Sequence, residues 1–312
     1  MNKNYKTMCG IAFGTMMVLA SSIMPASAQA PISNPLSLTP PVGLPVVPIF
    51  EGAYENEDGS VSFSFGYLNR NTSEPITVPI GQSNRIEPAQ FDGQQPTYFE
   101  TSRHTGVFTV TVPASMRDDD VWWYIKTGSH SELKVPGRRG RLGYTLDKTP
   151  RPSGSLAPLV SFTAGGPTGQ NPMGMTAQNA LSVKAGVPVT LTVHTTDPSV
   201  RDPADPRNEK PIPLRVSWHK HQGPGEVTYQ QHPSSEDPEP LSELQIRRGV
   251  SLPGPDQTVL TPGQGVANVI ATFSEPGDYL MRTMVDNWDA TDSTEADQCC
   301  WTNVYQKVTV TP

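Results

Sequence analysis

The sequence predicts an all-β protein: two β-sandwich domains joined by a Pro- and Gly-rich linker. Three observations carry the prediction. Pro and Gly number 33 and 26 of 312 residues, against average usage of roughly 5% and 7%. So much of both suppresses long helices and favours short strands joined by turns. Apolar and polar residues alternate at period two in several short runs, as in Val61, Phe63, Phe65 and Tyr67 against Ser60, Ser62, Ser64 and Gly66. Turn signals such as Asp58-Gly59 punctuate those runs.

Residues 1–28 read as a secretory signal. Lys3 and Lys6 precede an apolar run from Ile11 to Met24, which Pro25 ends too early for a membrane span. Ala26-Ser27-Ala28 is a small-residue cleavage site, so the mature chain is expected to begin at Gln29. Residues 29–48, with Pro31, Pro35, Pro40, Pro41, Pro45 and Pro48, form a Pro-rich arm.

The first sandwich is placed at 49–148. Its strands are Val61–Tyr67, Val107–Val112, Val121–Thr127 and Leu133–Val135. The polar stretch from Gly81 to Thr105 is too long for an idle loop and is expected to shape a surface. Residues 149–180 read as the linker, with a short strand at its one apolar spot, Leu159–Phe162. The second sandwich is placed at 181–312. Its strands include Val189–Val193, Leu214–His219, Val227–Gln230, a short edge strand at Leu244–Ile246, Val266–Phe273, Tyr279–Val285 and Asn303–Thr311.

Lys and Arg total 23 against 30 Asp and Glu, a net charge of −7. Loss of Lys3 and Lys6 with the signal takes it to about −9. A chain this acidic has no global attraction for nucleic acid or anionic lipid. No segment after the signal is apolar enough for a transmembrane helix.

Trp218 ends the apolar run Leu214–Trp218 and precedes His219-Lys220-His221-Gln222-Gly223-Pro224-Gly225. Some sixty residues on comes Ala271-Thr272-Phe273-Ser274-Glu275-Pro276-Gly277-Asp278-Tyr279. These segments, with the end strand Val308–Val310, resemble PKD-type and related immunoglobulin-like modules. The resemblance covers about the last third of the chain. It implies an immunoglobulin-like sandwich with Trp218 buried on strand C and Tyr279 tying the corner before strand F. Where many such domains place a strand-F cysteine, this chain has Met281. The whole chain is also similar to exported bacterial two-domain proteins that end in a strand like Cys299-Cys300-Trp301-Thr302-Asn303. Neither likeness implies an activity.

Candidate sites follow from residue chemistry. Asp197 and Asp202 lie in the loop before Trp218, and Asp286, Asp289 and Asp292 in the loop after Tyr279. In an immunoglobulin topology these loops share one end of the sandwich, and clustered carboxylates in flexible loops suit Ca²⁺. The bland reading is a solvated acidic rim. His219 and His221 stand two apart on a strand and form a two-imidazole clip for a transition metal, or a solvent-facing pair opposite the buried Trp218. Cys299 and Cys300 are adjacent. They are expected to pair in an oxidising compartment, with bridging between chains as the alternative.

Arg138, Arg139 and Arg141 form a basic turn able to grip an anionic glycan or an acidic partner. Trp122 and Trp123 are consecutive on a strand, so one turns away from the core, towards a ligand or under a covering segment. No Gly-x-Ser-x-Gly, His-Glu-x-x-His or phosphate-loop pattern occurs. The reading is an exported, non-enzymatic binding or assembly protein of the periplasm, cell surface or extracellular space. Its partners are a protein or glycan, or further copies of itself. No cofactor is required, and Ca²⁺ is the candidate ion. The alternatives are a metal-dependent enzyme or accessory protein with its site between the domains, and a subunit of a larger surface complex or filament.

Overall fold

A computed structural model describes residues 42–146, 149–236, 240–247, 251–293 and 299–312. The signal, the arm up to residue 41 and part of the final acidic loop (294–298) lie outside the described residues. The fold is all-β, and the described residues form two stacked-sheet bodies within one compact unit.

The first body contains β1 (Val46–Glu55), β2 (Val61–Asn69), β3 (Ile76–Thr77), β4 (Asn84–Glu87), β5 (Tyr98–Phe99), β6 (Ser102–Val112), β7 (Val121–Ile125) and β8 (Leu133–Gly137). One sheet runs β1–β2–β6, the other β4–β7–β8, and β3 pairs with β5. The alternation in β2 aims Phe63 and Phe65 inward, where they meet Phe108 and Trp123. Phe108 and Trp123 pack edge to face with centroids 5.0 Å apart. Trp123 donates its indole N–H to Asn84 Oδ1 at 3.0 Å, so its polar atom is satisfied in the core. Ser62 and Ser64 on the other face of β2 are buried as well. They are small side chains on the central strand, and Ser62 bonds Thr111 at 2.8 Å.

The polar stretch 81–105 is ordered from within. Asn84 donates to the carbonyls of Val78 and Pro96 at 2.9 and 2.8 Å. Gln95 ties Asn84 O to Asp92. These bonds satisfy backbone that no strand pairs.

The second body contains β9 (Leu159–Ser161), β10 (Met175–Thr176), β11 (Leu181–Lys184), β12 (Val189–Thr196), β13 (Leu214–Gln222), β14 (Val227–Gln231), β15 (Gln257–Leu260), β16 (Gln264–Phe273), β17 (Gly277–Asp286) and β18 (Trp301–Thr311). One sheet runs β10–β18–β17–β13–β15, with β11 also on β18; the other runs β14–β16–β12–β9. Trp218, Phe273, Tyr279 and Met281 are buried between them. Tyr279 donates its hydroxyl to Glu275 O at 2.8 Å, closing the corner that the resemblance implied. Met281 fills the place of the missing cysteine and is fully buried. Gly223 has φ +131°, and a Cβ there would meet the Tyr279 ring, so the turn after Trp218 needs glycine.

Two expectations change. The short strand expected in the linker is present as β9 but belongs to the second body, where it pairs with β12, and a further strand, β10, runs parallel to β18. The run read as an edge strand at Leu244–Ile246 lies in a short helix, α1 (Glu243–Arg247). Three apolar or polar residues in a row do not distinguish a strand from one helical turn.

Candidate functional site

Alternation on β13 sends Trp218 into its own core and residues 217, 219 and 221 to the opposite face. That face is not left to solvent. It packs against the first body, and His219 and His221 are only 8% and 1% exposed. The solvent-facing reading of this pair is therefore corrected, because a second apolar and polar surface covers it. His221 Nε2 donates to Gln94 O at 2.9 Å, and the Thr97 N–H donates to His221 O at 2.9 Å. Gln222 donates to Gly93 O and Gln95 O at 2.9 and 2.8 Å. Tyr305 donates to Val107 O at 2.9 Å, and Asn303 donates to Gly106 O. The Lys220 ammonium sits 4.0 Å from the Tyr98 ring centroid. Gly106, at φ +56°, has no room for a Cβ beneath the Trp301 indole.

The two imidazoles do not share a site. The β13–β17 register shifts between Lys220 and Gln222, leaving His221 as the bulged residue, and bulges re-aim side chains. His221 goes to Gln94. His219 instead joins Glu100 and His104 of the first body. His219 Nδ1 lies 2.8 Å from Glu100 Oε2, and His104 Nδ1 lies 3.7 Å from the same oxygen. One donor atom from each of the three falls within 4.8 Å of the others.

The surroundings hold this cluster in place. His104 stacks on Tyr67 with centroids 5.0 Å apart, and its Nε2 donates to Thr101 O at 3.0 Å. Tyr67 Oη accepts the Glu100 N–H at 3.0 Å. Burial alone would raise the Glu100 carboxyl, but His219, His104 and Arg282 hold it down at about 2. Burial pushes the His104 imidazole down to about 4 against the pull of Glu100, and the His221 imidazole down to about 3. At neutral pH the seam therefore holds an ionised Glu100 beside uncharged His104 and His221.

The cluster opens on a recess of about 130 Å³ between the two bodies. His104, His219, Arg282, Asp286, Trp288 and Trp301 line it, with Arg103 beside them. Among the described residues, three buried polar atoms of its lining have no hydrogen-bond partner: His219 Nε2, Arg282 Nε and Trp301 Nε1. Each such atom calls for an explanation, and three on one recess are accounted for together by a ligand or water there. Arg282 is 2% exposed and donates Nη1 to Asn303 at 3.2 Å. Arg103 pairs with Glu51 at 3.0 Å, and burial raises the Glu51 carboxyl to about 7 despite that arginine. Trp288 is 39% exposed, at the mouth.

Among the described residues, the carboxylates of the acidic loops form no such cluster. Asp197 accepts from Arg201 at 2.8 Å and from the Ser199 N–H at 3.0 Å. Asp202 caps the Ala204 N–H, and Asp292 accepts the Ser153 N–H at 2.7 Å. Asp286 is buried against Arg215 and also accepts the Trp288 N–H. Asp289 is exposed. The carboxylates expected as a Ca²⁺ rim are instead distributed over local partners.

The basic turn is likewise engaged. Arg138 pairs with Asp120, and Arg139 with Glu55 at 2.8 Å and Asp118 at 2.7 Å. Arg141 is exposed. Trp123 is in the core, while Trp122 points outward and is half-buried beneath Lys134, whose ammonium is 4.6 Å from its ring. A neighbouring lysine thus covers its ring. The Cys299 and Cys300 sulfurs are side by side, and a cis peptide joins the two residues.

Sequence reasoning found His219 but missed Glu100, His104 and Arg282. Glu100 stands 119 residues from His219, and no periodicity links positions so far apart. The one local signal was Glu100-x-x-x-His104 running from a polar stretch into a strand.

Compared with known proteins, the chain matches no protein-family description and no curated protein. Among solved structures it is similar to the D00-D0 domain of Intimin, at 12% identity and TM-score 0.25, covering 86% of this chain and 100% of that one. Tandem Ig repeats of Dlar match at 14% identity and TM-score 0.24, covering 86% and 99%. A protein of unknown function from Porphyromonas gingivalis W83 matches at 10% identity and TM-score 0.23, covering 85% and 98%. Likenesses at this level carry no functional argument.

Proposed function

We propose that the chain is an exported, non-enzymatic binding or assembly protein whose two sandwiches act as one body. The observation that carries this reading is the recess at their seam. It is walled by both bodies, has a tryptophan at its mouth, and holds buried polar atoms with no partner among the described residues. Preformed concave sites with a few convergent polar groups are where ligands bind. The ligand is a protein or glycan group at the cell surface, reaching the recess past Trp288.

The signal-like segment and the adjacent Cys299 and Cys300 support an oxidising destination. A vicinal disulfide between them belongs to this proposal. It would steady the wall of the recess, which Cys300 lines.

The test is photo-crosslinking from the mouth of the recess in material from the native source. The wild-type chain is compared with Trp288→Ala and with a surface control, Asp289→Ala. A partner that cross-links at the recess and is lost in Trp288→Ala supports the reading. A stable monomer with no partner and a measurable turnover overturns it.

A further inference from the structure

We propose that Glu100, His104 and His219 form a binding site for a divalent transition metal of the zinc class, bridging the two sandwiches. Two imidazoles and a carboxylate are the donor set of an open, exchangeable zinc site, in which three protein ligands leave the fourth position free.

Separations in the cluster suit this occupant. Metal–ligand bonds of ~2.0–2.2 Å in tetrahedral geometry place donor atoms ~3.3–3.6 Å apart. The 2.8 Å and 3.7 Å from Glu100 Oε2 to the two Nδ1 atoms bracket that range, and one donor atom from each of the three residues lies within 4.8 Å of the others. Small side-chain shifts would equalise them.

Proton placement argues the same way. His104 Nε2 donates to Thr101 O, which leaves Nδ1 as the ring nitrogen on the Glu100 side, available as a ligand. A ligating histidine usually donates its other N–H to a carbonyl in this manner. At His219 the metal displaces the Nδ1 proton now shared with Glu100. The ring then carries its proton on Nε2, the buried atom that has no partner beside the recess.

Arg282 works against a dication, since its charge reaches both Glu100 and His104. The buried carboxylate of Asp286 lines the same recess but is itself paired with Arg215. The site is accordingly weaker than a closed four-ligand structural zinc site. Its fourth position faces the recess, and in this respect the inference rests on the recess being the place of binding.

The experiment uses the mature chain alone, stripped with chelator and titrated with Co²⁺ as a spectroscopic stand-in for Zn²⁺. One Co²⁺ per chain is expected, with the intense visible absorption of a four-coordinate ion and a metal-dependent rise in melting temperature. His104→Ala and Glu100→Gln should each weaken binding by more than ~100-fold, beyond what loss of an outer-shell partner causes. His232→Ala, remote from the seam, should leave it unchanged. Glu100→Gln keeps the side-chain shape, so its melting curve without metal shows whether the seam is still folded.

Binding that is absent in the wild type, or that survives unchanged in a folded Glu100→Gln chain, overturns the site. Cross-linking at the recess is repeated with chelator present. If partner capture persists while Co²⁺ never binds, the metal inference falls and the binding reading stands. If Co²⁺ binds as expected while Trp288→Ala captures partner normally, the reverse holds.

Discussion

The seam between the two sandwiches and the acidic loops of the second one hold similar polar side chains and use them differently. In the loops, Asp197, Asp202 and Asp292 each accept from an arginine or a backbone N–H close by in sequence or space. At the seam, His219, Arg282 and Trp301 are more buried than those loop residues, and among the described residues each keeps a polar atom without a partner on one shared recess. The loops also hold such atoms, on Arg201 and Asp292, but among the described residues they line no common recess with one another. Convergence of unsatisfied hydrogen-bonding capacity favours the seam, because buried polar atoms without partners cost free energy that a single ligand there would recover.

The largest way to break this contrast is to part the two bodies. Gly106→Val places a side chain into the Trp301 indole at a φ of +56° that valine avoids. The expected loss is about 3 kcal/mol of unfolding free energy in urea titrations, from overpacking and backbone strain together. A loss below about 1 kcal/mol would mean that the seam closes without this contact.

Acid is the next probe. His104 and His221 have folded values of about 4 and 3, below the usual 6.5. The unfolded chain therefore binds more protons between pH 6.5 and those values, and stability present above pH 6.5 is lost as pH falls through that window. Glu100, held at about 2, adds loss in the same direction below pH 4.5. Glu51 opposes them. Its carboxyl titrates near 7 in the folded chain, so its contribution declines as pH rises from about 4.5 to 7. The net change from pH 7 to 4.5 is a loss of about 2 kcal/mol. Glu51→Gln should steepen it, as denaturant midpoints at the two pH values will tell. An unchanged profile in Glu51→Gln would remove that carboxyl from the account.

The loops provide the smallest effects. Asp292→Ala should cost about 1 kcal/mol, since it leaves the Ser153 N–H without its acceptor. Asp289→Ala, on an exposed residue, should stay within about 0.5 kcal/mol. Neither should respond to added Ca²⁺ in thermal melts. A Ca²⁺-dependent rise in melting temperature, abolished in Asp289→Ala, would restore the acidic loops as a metal site.

Much of each sandwich was legible in the residue pattern. Phe63, Phe65 and Val110 alternate with small polar residues, and that pattern places them inside. Trp218, Gly223 and Tyr279 announce their corner, because the turn needs a residue without Cβ and the hydroxyl needs a carbonyl. The apolar spot at Leu159–Phe162 marked β9, whereas β10 escaped notice because it is two residues long, amid Pro and Gly. The outer face of β13, β17 and β18 reads as solvent-exposed because His219, Arg282, Asn303 and Tyr305 are polar. Polarity does not distinguish a wet face from one that meets a second polar surface.

By itself the sequence determined most of the longer strands, their turns and much of the two cores, since alternation and glycine act over a few residues. Only the tertiary structure decided which polar residues would meet. Glu100 and His104 reach His219 because two independently patterned sandwiches press one face against another. That encounter depends on the shapes of whole surfaces and leaves no periodic trace along the chain.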